Sequence, residues 1–155
     1  MGELHGDDPI KASETFTSAG RLHATYNFNL LEWGGLSLDG LRDAINDAVE
    51  AFNGTGRVSF GFSNHDVPRS VTRQSESLGI EPEKVEALQL LLLKLAVCLI
   101  GSTCVYQGEE LALTDVRDIP IDKIQDPWGK AFAPAFLGRD TCRTPMVWDL
   151  SLIHI

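Results

Sequence analysis

Charged side chains gather where two apolar stretches of this sequence end. His65, Asp66 and Arg69 follow the stretch RVSFGFSN, and Glu109 and Glu110 follow STCVYQG. An imidazole beside a carboxylate can hold two vicinal hydroxyl groups, and such bonds speed a reaction when they tighten in the transition state. An Asn-His-Asp sequence also fits a turn in which a side chain caps the backbone that follows. Both interpretations of His65 and Asp66 are therefore open at this level.

Apolar spacing predicts the elements that position these side chains. SLDGLRDAINDAVEAFNG has helical periodicity, with Ser37 as a plausible N-cap and Gly54 near the end. EPEKVEALQLLLLKLAVCLIG predicts a second helix that is apolar enough to be buried, with Pro82 at its first position and Gly101 as its C-terminal cap. LHATYNFNLL, RVSFGFSN and STCVYQG are short candidate strands.

The order of these elements predicts the fold class. Strands and helices alternate at close spacing, which favours right-handed βαβ units and a parallel sheet. In a parallel α/β barrel the carboxyl ends of the strands carry the chemistry, so His65 and Asp66 are expected to face a pocket. The segment after Gly108 is long and rich in Pro, Gly, Asp and Trp. Its aromatic residues argue against disorder, and a loop of this length is usually functional.

The composition limits the classes of partner. Acidic residues outnumber basic ones by 22 to 13, for a formal net charge of −9, which argues against nucleic acid or an anionic membrane because both require a basic surface. The most apolar segment is interrupted by Lys94 and is too short to span a bilayer. Cys98, Cys104 and Cys142 form no Cys-x-x-Cys pair, and the first residues are polar, unlike a signal peptide. A reduced, cytoplasmic protein is the expectation.

Four motifs together resemble one known family. FSNHDVPR, VYQGEEL, DPWG and GRDTCRTPMVWD, in this order, are similar to motifs of the alpha-glucosidase branch of glycoside hydrolase family 13, the alpha-amylase superfamily, and especially of bacterial alpha-glucosidases and oligo-1,6-glucosidases. The resemblance implies an α/β fold: a partial TIM (β/α)8 barrel, roughly from the end of strand five through strand eight and the following loop, over residues 1–149. It also implies hydrolysis of α-glucosidic bonds with retention. No cofactor and no metal ligands are expected in this chain.

The resemblance assigns roles to five residues. Asp66 matches the carboxylate after the seventh strand that stabilises the transition state, and His65 matches a ligand of the same sugar. Glu3, in a Gly-Glu pair like the one that ends the fifth strand, matches the general acid/base. Arg143 matches an arginine that closes the pocket around the non-reducing glucose, and Arg139 matches a second arginine near the leaving group. A structural ion pair that holds an acidic loop is the alternative for both arginines.

Structural roles are expected for several other charged residues. Glu109 and Glu110 match a family motif at the eighth strand and are interpreted as structural. Arg69 is expected to pair with a neighbouring carboxylate. For Glu3, the alternative to the acid/base is a solvated residue near the start of the chain.

The sequence departs from the family pattern upstream of Glu3. The nucleophile motif Gly-x-Arg-x-Asp, the first-strand and third-strand motifs and the usual metal-binding loop do not occur in the 155 residues. We therefore expect Met1 to be an internal or arbitrary start. The isolated chain is expected to be inactive and, with two unpaired sheet edges, prone to aggregation. The ending LSLIHI, residues 150–155, matches a translated sequencing adaptor and is expected to be a non-native tail.

Three other functions stay open. A transglycosylase or isomerase, such as a trehalose synthase or sucrose isomerase, uses the same carboxylates, so these residues do not separate it from a hydrolase. A non-catalytic relative of the transporter heavy-chain type would tend to lack intact carboxylates. A free-standing α/β binding module would require the chain to be stable alone. The expected partner is an oligosaccharide or disaccharide such as maltose, sucrose or isomaltose, with linkage preference and oligomeric state open.

Overall fold

The computed structural model describes residues 1–3, 8–31, 37–54 and 56–149, so the predicted tail at 150–155 lies outside the described residues. Short strands alternate with helices along the described chain. The strands are β1 (Thr25–Asn27), β2 (Val58–Phe60) and β3 (Ser102–Thr103). The α-helices are α1 (Pro9–Thr17), α2 (Leu38–Asn53), α3 (Ser70–Leu78), α4 (Val85–Cys98) and α5 (Pro127–Phe132). Short 3-10 helices cover Pro82–Lys84, Glu109–Leu111 and Ile121–Lys123. The first of them leads directly into α4.

The strands form a parallel sheet in the order β1-β2-β3, as the alternation of strands and helices predicts. Thr25 lies opposite Val58, and Ser59 lies opposite Ser102. Gly2 forms a further parallel bridge with Thr25. All of these segments run in one direction, so their carboxyl ends meet at the same edge of the sheet.

Helices α2 and α4 pack on this sheet with small and apolar side chains. The buried core consists of Leu30, Ala44, Ala48, Ala51, Val58, Phe60, Phe62, Leu92 and Ala96. The alanines of α2 are spaced by three and four residues and so share one face, which brings the helix close to the strands. Phe60 on β2 is 1% exposed, and burying a side chain of this size contributes about 1.5–3 kcal/mol.

Helix α2 begins and ends where the sequence predicts. The Ser37 Oγ accepts a hydrogen bond of 3.0 Å from the Gly40 amide, which satisfies one of the free amides in the first turn. Gly54 is the C-cap, and its amide donates to the Glu50 carbonyl. An N-cap of this kind stabilises a helix by about 1 kcal/mol, so local sequence determines both ends of this helix.

Helix α4 differs from the prediction in its end and in its burial. It ends at Cys98, and the prediction that Gly101 caps it is wrong. Gly101 has φ +118°, and a Cβ there would lie 2.5 Å from the Val58 carbonyl oxygen, so glycine lets the chain approach β2 closely on entering β3. The expected burial is also wrong, since Leu90 and Leu91 are more than half exposed. Only the face of α4 toward the core is covered in the described chain.

Helix α3 occupies a segment in which apolar spacing predicts neither a helix nor a strand. Apart from Val71, its buried residues are polar and include Ser70, Arg73 and Gln74, so apolar periodicity does not reveal it. Gly79 ends the helix in the left-handed conformation, at φ +63°. Helix α1 begins after Asp8, whose side chain caps the first turn, and apolar spacing does not predict it either.

The segment after β3 is ordered, as its aromatic content predicts. It holds two of the 3-10 helices and α5, and it buries Ile124, Asp126 and Cys142 almost completely. Burial raises the pKa of the Cys142 thiol to about 11. No helix within the four described ranges is long and apolar enough to cross a membrane.

Candidate active site

Glu3 and Asp66 follow strand ends at the carboxyl edge of the sheet. The Gly2 amide donates to the Ala24 carbonyl at 3.1 Å, and the Tyr26 amide donates to the Gly2 carbonyl at 2.9 Å. These bonds hold Glu3 beside β1, with its side chain exposed. Asp66 follows β2, the next strand in the sheet. The fold therefore places both predicted carboxylates at one edge.

Asn64 shapes the turn that presents His65 and Asp66. Its Oδ1 accepts hydrogen bonds from the amides of Asp66 at 2.9 Å and Val67 at 3.2 Å. Asn64 is buried, whereas the side chains of His65 and Asp66 are 52% and 45% exposed. The turn interpretation and the site interpretation thus apply together, because the Asn64 cap is what turns the two following side chains outward.

The two predicted arginines converge on one oxygen of Asp66. Arg139 Nη1 lies 2.8 Å from Asp66 Oδ1, and Arg143 Nη2 lies 2.9 Å from the same atom. Arg143 Nε also donates to the His65 carbonyl at 2.7 Å. On the other side, His65 Nε2 is 3.6 Å from Asp66 Oδ2. The structure therefore brings together four of the five predicted site residues around one carboxylate.

The Arg139 side chain also binds a second carboxylate, which is buried. Asp126, whose side chain is fully buried, accepts from Arg139 Nη2 at 2.8 Å, Nε at 3.1 Å and the backbone amide at 2.7 Å. The Arg139 guanidinium also stacks on the Trp128 ring, 4.9 Å from its centroid. Hydrogen bonds from Arg139 lower the pKa of Asp126 to about 2, and the bond to Asp126 raises the pKa of Arg139.

Two pockets border Asp66 and Arg139. One has a volume of about 380 Å³ and is lined by Phe28, Leu31, Asn64, Asp66, Val67, Trp128 and Arg139. The other has a volume of about 340 Å³, and Asp115, Arg117, Phe136 and Cys142 are among its other lining residues. The first combines apolar and aromatic walls with a few polar groups, which is typical of small-molecule sites.

Hydrogen bonds to Glu109 stabilise the turn that carries His65 and Asp66. Its side chain is buried, and it accepts hydrogen bonds from the Ser63 and Ser70 hydroxyls at 2.7 and 3.0 Å and from the Tyr106 amide at 2.9 Å. Ser63 Oγ in turn accepts from the Ser70 amide at 2.8 Å. The carboxylate thus links the end of β2, the start of α3 and the segment after β3, in keeping with a structural role.

Arg69 is fully buried, but within the described part of the chain its guanidinium does not form the expected ion pair. Nη1 donates to the Gln107 carbonyl and Nη2 to the Thr144 hydroxyl. The group also lies over the Tyr106 ring at 5.2 Å. The neighbouring carboxylate, Asp115, accepts from the Arg69 backbone amide instead, at 2.8 Å, and burial raises the pKa of Asp115.

A second buried arginine, Arg73, ties the ends of β1 and β2 together. Its guanidinium donates to the carbonyls of Leu30, Phe62 and Pro68. Burial lowers the pKa of Arg73. Sequence reasoning missed both Arg73 and Asp126, because only the fold shows which carbonyls or cations lie beside them. Two signals for Asp126 were available: it opens the DPWG motif, and the Pro that follows it favours the first turn of a helix.

We expect Glu109→Gln to lower the free energy of unfolding by about 2–3 kcal/mol. The glutamine keeps one acceptor oxygen, but it replaces the other by an amide that cannot accept from Ser63, Ser70 or Tyr106. Urea unfolding followed by tryptophan fluorescence measures the change. The matched control is Glu110→Gln, since Glu110 is exposed and accepts from the Gly108 amide. Equal losses in the two variants would contradict the structural role of Glu109.

The Asp126–Arg139 pair predicts a dependence of stability on pH. Because the pKa of Asp126 is lower in the folded state, the ionised carboxylate stabilises the fold at pH values above the unfolded-state pKa of about 4. This contribution disappears as the pH falls toward the folded-state pKa of about 2. The free energy of unfolding of wild type should therefore exceed that of Asp126→Asn by about 2 kcal/mol near pH 6. The gap should shrink as the pH is lowered from 5 to 2. Urea unfolding over that range measures it, and a gap that does not change with pH would refute the expectation.

Comparison with known proteins identifies relatives over nearly the whole chain. A model of the alpha amylase catalytic domain matches residues 2–152. The chain is 39% identical over 152 residues to the "Probable alpha-glucosidase" of Rhizobium meliloti (strain 1021), covering 96% of this chain and 26% of that protein. It is 31% identical over 130 residues to an oligo-1,6-glucosidase of Halalkalibacterium halodurans, covering 74% of this chain and 22% of that protein.

A solved structure agrees with these matches. The crystal structure of the alpha-glucosyl transfer enzyme XgtA superposes with a TM-score of 0.77 at 37% identity, covering 95% of this chain and 26% of that one. The chain thus spans about a quarter of the length of these relatives. Its parallel strands and their helices form part of a TIM barrel. The chain belongs to the alpha-amylase family, within the catalytic domain.

Proposed function

We propose that this chain carries two catalytic carboxylates of a retaining alpha-glucosidase that releases terminal α-linked glucose from short oligosaccharides such as maltose, sucrose or isomaltose. The observation that carries the proposal is the difference between the partners of the two Asp66 carboxylate oxygens. Two arginines bind its Oδ1, while among the described residues only His65 Nε2 approaches Oδ2, at 3.6 Å, and Asp66 lines a pocket. The alpha-glucosidase and oligo-1,6-glucosidase relatives support the reaction class.

Each side chain has a role that fits its surroundings. Asp66 binds sugar hydroxyls and favours the positively charged, flattened ring of the transition state. His65 binds the same sugar ring from the adjacent position. Glu3, exposed beside β1, protonates the leaving oxygen and then activates water. Arg143 closes the pocket, and Arg139 holds Asp66 on the leaving-group side.

The nucleophile comes from outside these residues. The chain contains no Gly-x-Arg-x-Asp motif, and a retaining mechanism needs a carboxylate that forms a glucosyl-enzyme. The 155-residue chain by itself should therefore not turn over α-glucosides.

A segment exchange tests the proposal. The test protein, called the chimera below, is the Rhizobium meliloti relative in which residues 2–149 of this chain replace the matching segment. The chimera should hydrolyse maltose, and proton NMR of the reaction with an aryl α-glucoside, which releases only one sugar, should show α-glucose as the first product, whereas the 155-residue chain alone should be inactive. A chimera that unfolds cooperatively but has no activity, or that releases β-glucose first, would overturn the proposal.

Glucosyl transfer is the second candidate function. Its support is the 37% identity to the alpha-glucosyl transfer enzyme XgtA, together with a half-exposed Trp128 in the pocket beside Asp66, since aromatic faces are suited to carry an acceptor. Product analysis of the chimera at high maltose concentration separates the two functions. Each transfer between two maltose molecules yields one trisaccharide and one released glucose, so a trisaccharide-to-glucose ratio near one favours transfer, and glucose alone favours hydrolysis.

A further inference from the structure

The contacts of Arg139 are divided between two carboxylates in an unequal way. A guanidinium presents parallel N–H groups along its edges, and it prefers to bind a carboxylate through two of them at once. Asp126 takes such an edge, with Nη2 on its Oδ1 and Nε on its Oδ2. Only Nη1 is directed to Asp66, and it reaches Oδ1. Asp66 therefore receives one bond from Arg139 instead of two.

Asp126 is itself firmly positioned. Its Oδ2 accepts the Arg139 backbone amide at 2.7 Å, and the Asp140 carboxylate accepts the amides of Gln125 and Asp126. A Cβ on Gly138 would lie 2.5 Å from Asp126 Oδ2, so the chain packs directly against the carboxylate. The Trp128 ring covers the guanidinium. Arg139 therefore has little freedom to turn toward Asp66.

We infer that Asp126 is a positioning residue that keeps Asp66 Oδ2 available for a hydroxyl group of a saccharide. Without the Asp126 carboxylate, Arg139 would bring Nη1 and Nη2 together onto Asp66 and occupy both of its oxygens, which leaves Nε without a partner. Arg143 does not fill Oδ2 in the present arrangement, because its Nε is held by the His65 carbonyl. This inference rests on the proposed function, since it assigns the free oxygen to the sugar.

The test compares Asp126→Asn with Asp140→Asn in the 155-residue chain. Asparagine at 126 keeps an acceptor for the Arg139 amide but loses the charged partner of the guanidinium. Asp140→Asn loosens the same loop without removing a contact to the Arg139 side chain, so it controls for a merely structural effect. Nitrogen-15 NMR of the arginine side chains, with Arg139→Lys for assignment, reports the exchange rate of the Arg139 Nε proton. Calorimetric titration with maltose reports affinity.

We expect a slowly exchanging Arg139 Nε proton in wild type and in Asp140→Asn, and exchange faster by about tenfold or more in Asp126→Asn. Maltose affinity should fall about tenfold in Asp126→Asn and less than about twofold in the control. Equal effects of the two variants, an unchanged Arg139 signal in Asp126→Asn, or an Arg139 signal that is unprotected in wild type would each overturn the inference. If wild type binds no maltose, the assignment of the free oxygen to a sugar fails, while the Arg139 signal still decides whether Asp126 positions the guanidinium.

Discussion

We expect Glu3→Gln, introduced into the chimera, to lower kcat for maltose by about 10²–10⁴-fold. Glutamine occupies the same space but cannot transfer a proton, so the departing sugar leaves as an unprotonated alkoxide. Initial rates of glucose release, with the variant's melting temperature checked against that of the unmodified chimera, measure the loss.

The leaving group supplies the control for this prediction. Fluoride needs little help from an acid, so the loss for α-glucosyl fluoride in the bond-cleaving step should be far smaller than the loss for maltose. The same loss for both substrates, or activity equal to that of the unmodified chimera, would exclude Glu3 as the general acid. Glu3 would then be the solvated residue of the alternative interpretation.

Asp66→Asn should lower kcat in the chimera by about 10³-fold or more. The carboxylate carries the negative charge that favours the positively charged ring of the transition state, whichever group departs. The loss should therefore be similar for maltose and for α-glucosyl fluoride, in contrast to Glu3→Gln. Rates for the two substrates, measured side by side in both variants, test the assignment.

Stability must be followed in the same experiment, because Asp66 also pairs with Arg139 and Arg143. Asparagine keeps the Oδ1 that accepts from both arginines, so we expect the melting temperature to change little. A folded Asp66→Asn chimera that keeps more than a tenth of its kcat would refute the role of Asp66 in the transition state. A loss confined to maltose would point to leaving-group chemistry instead.

Much of this protein follows from the sequence alone. Helix α2 with its Ser37 cap, the parallel order of the strands and the position of His65 and Asp66 after β2 were all predictable. These features depend on contacts between near neighbours in the chain, on periodicity and on the edge at which parallel strands end. The family motifs were equally visible, because they are short and lie in a set order.

Other features depended on contacts between distant parts of the chain. Helix α3 was not predictable because its buried face is mostly polar, and its Ser70 hydroxyl donates to Glu109, which lies 39 residues further along the chain. Sequence placed Arg139 near the site, but only the fold shows that Asp126 takes one edge of its guanidinium and leaves a single bond for Asp66. Local sequence determined which groups reach the carboxyl edge. The tertiary structure decided which oxygen of Asp66 they occupy, since that depends on carboxylates brought together from separate segments.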